Sequence, residues 1–253
     1  MKSVGSNTNT YKLIALDMDG TLLTEDKVIS AENREAIAAA MEAGKTVIMS
    51  TGRGVQSAMP YVNELGLTTP IVAVNGGEVW EAPGKLLSRQ LLAADTVRSL
   101  HAIAQKYDVW WWAYAVEGVF NRESESMDID AKHWLKFGYY TENLEKLKQI
   151  RETVESWGTL EITNSHPCNI ELNPSGISKA SGIEAVCKLL GISMSEVIAM
   201  GDSENDITMI RAAGLGVAMG NAQEEVKRIA DITTVTNEEH GVAKVIHEYM
   251  LKP

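Results

Sequence analysis

The sequence predicts an α/β protein: a core with a mainly parallel sheet, and an α+β block inserted into it. Three observations carry this. Short apolar runs alternate with helical periods near both ends of the chain, as in strands covered on both faces and joined by crossover helices. That rhythm is lost between residues 84 and 174, where paired short strands replace it. It resumes after Pro174, so the middle block interrupts one core rather than following it. The division is residues 12–83 and 175–253 for the core, 84–174 for the insert, and a polar, flexible tail over 1–11.

Each element has a local reason. Residues 12–17 read as a buried strand. Ser30 caps a helix over 31–43, with Ala36, Ile37, Ala40 and Met41 on one face and Gly44 as its stop. A strand over 46–49 follows, then a helix ending near Leu65, with Pro60 in its first turns or at a kink. A third strand, 71–74, ends in Asn75-Gly76-Gly77, which is either a strand-end turn or a border of a cleft. Residues 78–92 form a hairpin about Ala82-Pro83-Gly84. The insert continues with a helix (93–107), strands (109–115, 119–122), a helix (143–156) and two more strands (160–163, 169–172). After it come a helix over 179–190 stopped by Gly191, a capping box at Ser193 and Glu196, and a strand over 197–200. Helices at 204–213, 222–230 and 239–250 then alternate with strands at 215–219 and 232–235.

Composition narrows the function classes. With 34 acidic against 23 basic residues, the formal charge of −11 argues against nucleic acid or an anionic membrane as partner. It leaves room for a phosphorylated metabolite, because a cation and a few basic groups can reverse the field in one cleft. The two cysteines, Cys168 and Cys187, form no C-x-x-C pair and suit a reducing cytoplasm. No apolar run is long enough for a membrane helix, and residues 1–10 lack the hydrophobic stretch of a signal peptide. The five histidines have no ligand spacing.

The chemistry gathers at the carboxyl ends of core strands. In LIALDMDGTLL, Asp17 and Asp19 point the same way where the first strand ends. Two such carboxylates repel unless a cation or proton lies between them, which points to Mg2+ and phosphoryl chemistry. Thr51-Gly52-Arg53, Lys179, and the run from Gly201 to Asp206 fall at equivalent edges or helix starts. In an open α/β sheet that edge is where ligands bind.

The order of LIALDMDGTLL, MSTGR, the lone lysine in SGISKASG, and AMGDSENDITMI with GVAMGNA resembles the haloacid dehalogenase superfamily of phosphohydrolases. The match is closest to the Cof-type, sugar-phosphatase-like branch. The resemblance implies a Rossmann-like core with a C2-type cap between the second and third motifs. It implies a Mg2+-dependent phosphatase acting on small phosphate monoesters, most naturally sugar phosphates, through an aspartyl-phosphate.

Carboxylate chemistry supports the same roles. Asp17 is the candidate nucleophile, and Asp19 the acid that protonates the leaving alcohol and then the base for water. Thr51, the Gly52 amide, Lys179 and Asn205 can hold the phosphate, with the Met18 backbone amide added by family analogy. The resemblance implies Asp17, Asp202 and the Asp19 carbonyl as metal ligands. Asp206 is either a further ligand or a group that orients the others. Arg53 either orients substrate or pairs with a carboxylate. Trp110, Trp111 and Trp112 suit core packing or a subunit interface, with stacking on a sugar as the sharper alternative. A phosphotransferase or phosphomutase on the same scaffold, and a non-catalytic phospholigand sensor, are the rival functions. A monomer and a homodimer are both compatible with the sequence.

Overall fold

The computed structural model describes residues 11–124 and 127–252. The core opens with β1 (Leu13–Leu16), α1 (Ala31–Glu42), β2 (Thr46–Ser50), α2 (Val55–Glu64), β3 (Ile71–Ala73), β4 (Glu78–Ala82) and β5 (Lys85–Arg89). Next come α3 (Ala94–Tyr107), β6 (Trp110–Ala115), β7 (Gly118–Asn121), β8 (Trp134–Tyr140), α4 (Leu144–Glu155), β9 (Leu160–Thr163) and β10 (Asn169–Pro174). The chain returns with α5 (Lys179–Leu190), β11 (Val197–Gly201), α6 (Ile207–Ala212), β12 (Leu215–Ala218), α7 (Glu224–Ile229), β13 (Ile232–Thr233) and α8 (Gly241–Tyr249).

The larger sheet has the order β13-β12-β11-β1-β2-β3-β4-β5. It is parallel from β13 to β3 and antiparallel beyond. The apolar run of β1 lies at its centre, paired with β11 and β2 in register Leu13↔Val197 and Leu13↔Thr46, and is buried throughout. The chain builds outward from β1 through β2 to β5, then returns to the other side of β1 and builds outward again. The strand order therefore reverses beside β1, and a crevice opens at the carboxyl ends of β1, β2 and β11. Asn33 ties the α1 layer to this core, accepting from the Ala243 N–H of α8 at 3.0 Å.

The smaller sheet, β7-β6-β8-β10-β9, is antiparallel. One face packs against α3 and α4, where Val97, Leu100, Ile150 and Val154 meet Trp111, Phe137, Tyr139 and Leu172. Trp111 stacks on Phe137 with centroids 5.6 Å apart. The other face reaches the core at the crevice, where Leu135 joins the core cluster and Asn173 Nδ2 donates to the Val74 carbonyl at 3.0 Å.

Three sequence expectations change. The boundary at residue 84 assigns β5 to the insert, yet β5 pairs with β4 as an edge of the larger sheet, because the turn at Pro83-Gly84 folds the hairpin back onto the strand before it. Tyr11, expected in the flexible tail, is buried, and its carbonyl accepts from Lys45 Nζ at 2.9 Å; residues 1–10 lie outside the described residues. The central strand β8 has no counterpart among the expected elements. Its pairing with β6 shifts register beside Tyr114 and Ala115, so the period-two alternation is broken in WLKFGYY.

Candidate active site

The structure gathers Asp17, Asp19, Thr51, Gly52, Arg53, Lys179, Asp202, Asn205 and Asp206 at the crevice beside β1, while Trp111 packs in the insert's core and Trp110 and Trp112 lie away from the crevice. Asp17 follows β1 directly, and its N–H extends the ladder to the Met200 carbonyl at 3.1 Å. The Leu22 and Leu23 amides return to the carbonyls of Asp17 and Met18 (3.3 and 2.9 Å), closing a short loop. The Met18 side chain is buried in the core beneath it. Gly20, at φ +79, passes so near the end of β11 that a Cβ would stand 2.5 Å from Asp202 Oδ2. Only a glycine lets the two loops meet this closely.

Lys179 opens α5, whose first turn is capped by a reciprocal Ser178–Ser181 box. Its ammonium is fully buried and donates to Asp17 Oδ1 at 2.6 Å and Asp206 Oδ1 at 2.5 Å. This placement depends on Gly76, at φ +94, where a Cβ would stand 2.2 Å from the Ser178 carbonyl oxygen. Asp206 Oδ2 accepts from the N–H groups of Asp202 and Ser203 at 2.9 and 3.0 Å. Both oxygens of Asp206 are thus engaged within the protein.

Carboxylate oxygens of Asp17, Asp202 and Asp206 lie within 4.8 Å of one another. Burial pushes the Asp17 carboxyl well above its usual range: Lys179 pulls it down, while Asp206 and Asp202 push it up. Burial, with the charge of Asp206, raises Asp202 from 3.8 to about 7. Burial works against the Lys179 ammonium, but the charges of Asp17 and Asp206 outweigh it and keep the lysine charged. One ammonium cannot balance three carboxylates, two of them buried and that of Asp202 half-buried, so a firmly charged lysine and raised carboxyls at Asp17 and Asp202 coexist. An all-oxygen, negatively charged cluster of this kind fits a divalent cation such as Mg2+.

Asp19 sits at the mouth. Arg53 grips it with two hydrogen bonds, Nε to Oδ2 at 2.6 Å and Nη2 to Oδ1 at 2.7 Å, and Lys27 Nζ adds a third at 2.8 Å. Burial would raise its pKa, but these cations prevail and hold it at about 2. Of the two readings for Arg53, the carboxylate pair is the one observed. Thr51 is buried at the end of β2, with Oγ1 accepting from the Arg53 N–H at 3.1 Å. A Cβ on Gly52 would stand 2.9 Å from Asn75 Oδ1, which also accepts from Asn205 Nδ2 at 3.2 Å. Asn75 is therefore part of the cleft's framework as well as a strand-end turn.

The smaller sheet supplies an opposing wall that the sequence did not mark. Lys136 of β8 is buried and donates to the Gly52 carbonyl at 2.7 Å and to Glu171 Oε2 at 3.0 Å. Glu171 of β10 also accepts from Asn75 Nδ2 at 2.7 Å and Ser165 Oγ at 2.8 Å. Burial opposes ionisation of Glu171, but Lys136 and these donors hold its pKa below the usual range. Together with Tyr114, these side chains and the core residues enclose a cavity of about 360 Å³ over Asp17. The available signal was a lone charge inside an apolar strand, Lys136 in WLKFGYY and Glu171 in NIELN.

A Rossmann-like sheet with buried aspartates and a lysine on its carboxyl edge, covered by a second sheet, defines the class of aspartate-bearing phosphohydrolases. The model of the haloacid dehalogenase-like hydrolases matches residues 14–246, and the chain belongs to that family. The 5-amino-6-(5-phospho-D-ribitylamino)uracil phosphatase YcsE of Bacillus subtilis is 44% identical over 240 residues, covering 95% of this chain and 96% of its own. The pyridoxal phosphate phosphatase YbhA of Escherichia coli is 28% identical over 272 residues, covering 96% and 100%. A solved haloacid dehalogenase-like hydrolase from B. subtilis superposes with a TM-score of 0.87 at 27% identity, covering 93% of this chain and 99% of its own. The chain is a phosphoric monoester hydrolase of the Cof-type branch. Among the described residues no helix is long and apolar enough to cross a membrane.

Proposed function

We propose that this hydrolase is a Mg2+-dependent phosphatase for small phosphorylated sugars and sugar alcohols, working through an aspartyl-phosphate at Asp17. The observation that carries the reading is the cluster of Asp17, Asp202 and Asp206 beside the buried Lys179 ammonium, with Asp17 on the wall of the cavity. The 44% identity to a ribitylaminouracil phosphatase supports a substrate whose phosphate is carried on a polyol.

Asp17 attacks phosphorus with its carboxylate. The new P–O bond forms as the bond to the leaving alcohol breaks, and the alcohol takes a proton from Asp19. In the second half, water attacks the acyl phosphate while Asp19 accepts its proton, and Asp17 is regenerated. Against the effect of burial, Arg53 and Lys27 lower the Asp19 pKa, which favours the ionised form that the second half needs. An incoming phosphate competes for Arg53 and Lys27, which lets Asp19 carry the proton needed in the first. Lys179 holds Asp17 in line and balances charge on the transferring group. Thr51, Gly52, Asn205 and the Met18 amide receive the phosphate oxygens. Mg2+ would be held by Asp17, Asp202 and the Asp19 carbonyl, and when bound would offset repulsion between Asp17 and a phosphate dianion. Asp206, with both oxygens already engaged, orients Lys179 and the loop that carries Asp202.

The test is phosphate release from 5-amino-6-(5-phospho-D-ribitylamino)uracil, pyridoxal 5′-phosphate, hexose phosphates and nucleotides, with Mg2+ or with EDTA. Release that needs Mg2+ and ranks polyol and sugar esters first is the expected result. Transfer of the phosphoryl group to a sugar with no free phosphate, or turnover unaffected by EDTA, overturns it.

A further inference from the structure

The face of the smaller sheet that closes the cavity extends beyond it. Along β6, Trp110, Trp112 and Tyr114 alternate onto this face, while Trp111, Ala113 and Ala115 are buried on the helix-covered side. Tyr114 lines the cavity over Asp17 and also an open apolar groove made with Trp110, Trp112, Val119 and Tyr140. Groove and cavity are one continuous surface joined at Tyr114.

Trp112 packs over its cross-strand neighbour Gly138, where a Cβ would stand 2.3 Å from the indole ring. The ring therefore lies against bare backbone, a place that only a glycine leaves open. Sheet packing does not account for these aromatics, because the insert's core is filled by Trp111, Phe137 and Tyr139 from the opposite face. Trp110 and Tyr140 stay 36% and 38% exposed.

We propose that the groove at Trp112 and Tyr114 is a stacking subsite for a planar heterocycle carried by the leaving group, while the phosphate sits at Asp17. The proposal rests on the phosphatase reading above. Across this sheet face Glu171 of β10, Lys136 of β8 and Tyr114 of β6 follow one another in strand order, so the surface passes from charged groups to aromatic rings, with Lys136 Nζ 4.7 Å from the Tyr114 ring centre. Lys136 and Glu171 can bond hydroxyls, and Tyr114 and Trp112 offer flat apolar faces. That sequence of chemistries matches a molecule built as phosphate, polyol and ring, in that order.

The experiment compares 5-amino-6-(5-phospho-D-ribitylamino)uracil with ribitol 5-phosphate, which is the same phosphorylated polyol without the ring. Trp112→Ala and Trp112→Leu should each lower the preference for the ring-bearing ester about tenfold, through KM rather than kcat. Trp112→Phe, which keeps a ring, should retain most of the preference. The leucine variant keeps an apolar cover over Gly138, so it separates stacking from folding. An unchanged preference in Trp112→Leu overturns the subsite, as does a wild-type dimer that Trp112→Leu dissociates with both esters affected equally. If the wild type hydrolyses neither ester, the polyol-phosphate substrate reading falls, and binding decides the subsite. Tryptophan quenching by 5-amino-6-(D-ribitylamino)uracil must then weaken about tenfold in Trp112→Leu for the subsite to stand.

Discussion

The two walls of the cavity are built differently. The core wall takes its groups from strand ends and helix starts, where Asp17, Thr51, Lys179 and Asp202 project from loops fixed by the sheet beneath them. The opposing wall takes Tyr114, Lys136 and Glu171 from within three antiparallel strands, where neighbouring rows of backbone hydrogen bonds hold them. The first arrangement concentrates charge on one point. The second spreads polar and aromatic groups over a surface. A single substitution in the core wall should therefore remove the chemistry, whereas one in the cap wall should shift what the site accepts.

Changes at Asp17 test this most strongly. Asp17→Asn should lower turnover by roughly 10⁴-fold or more while the fold persists, measured by phosphate release and circular dichroism. Appreciable activity in that variant would remove Asp17 from the nucleophile's role. Next in size is Lys179→Met, which leaves the two buried carboxylates of Asp17 and Asp206 without their ammonium. Turnover should fall steeply and unfolding free energy should drop by about 3–5 kcal/mol in urea titrations.

The cap-side counterpart is Lys136→Met. It frees the Gly52 carbonyl and leaves Glu171 buried without its cation, so KM should rise about tenfold with a smaller change in kcat. A kcat loss as large as that of Lys179→Met would break the contrast between the walls. The smallest effect concerns pH. Asp202 titrates at about 7 in the folded chain against an ordinary 3.8, so between those values it holds a proton in the metal-free fold that it loses in the unfolded chain. The stability contributed by that proton therefore declines as pH rises through that window. The Tm gained on adding Mg2+ should be a few degrees larger at pH 8 than at pH 5.5, and equal gains would show that the cation does not replace the proton.

The same difference governs what could be read from the chain. Asp17 and Asp19 stand two residues apart, Asp202 and Asp206 four apart, each pair after an apolar run, so the core site is written in local patterns. Lys136 and Glu171 are 35 residues apart and meet only through pairing of β8 with β10. The register shift beside Tyr114 hides β8 from an alternation search, and with it the strand that carries Lys136. The hairpin of β4 and β5 looks from sequence like the start of the insert. Local turn chemistry says that two strands pair, but not which sheet they extend.

Gly76 makes no contact with substrate in any step described above, yet α5 can start where it does only because position 76 lacks a side chain. A methyl group there would meet the Ser178 carbonyl and drive the helix start, with Lys179, out of line with Asp17. A mutational scan of this enzyme would accordingly score position 76 as catalytic. An inherited change there would present as loss of turnover in a chain whose acidic residues are all intact.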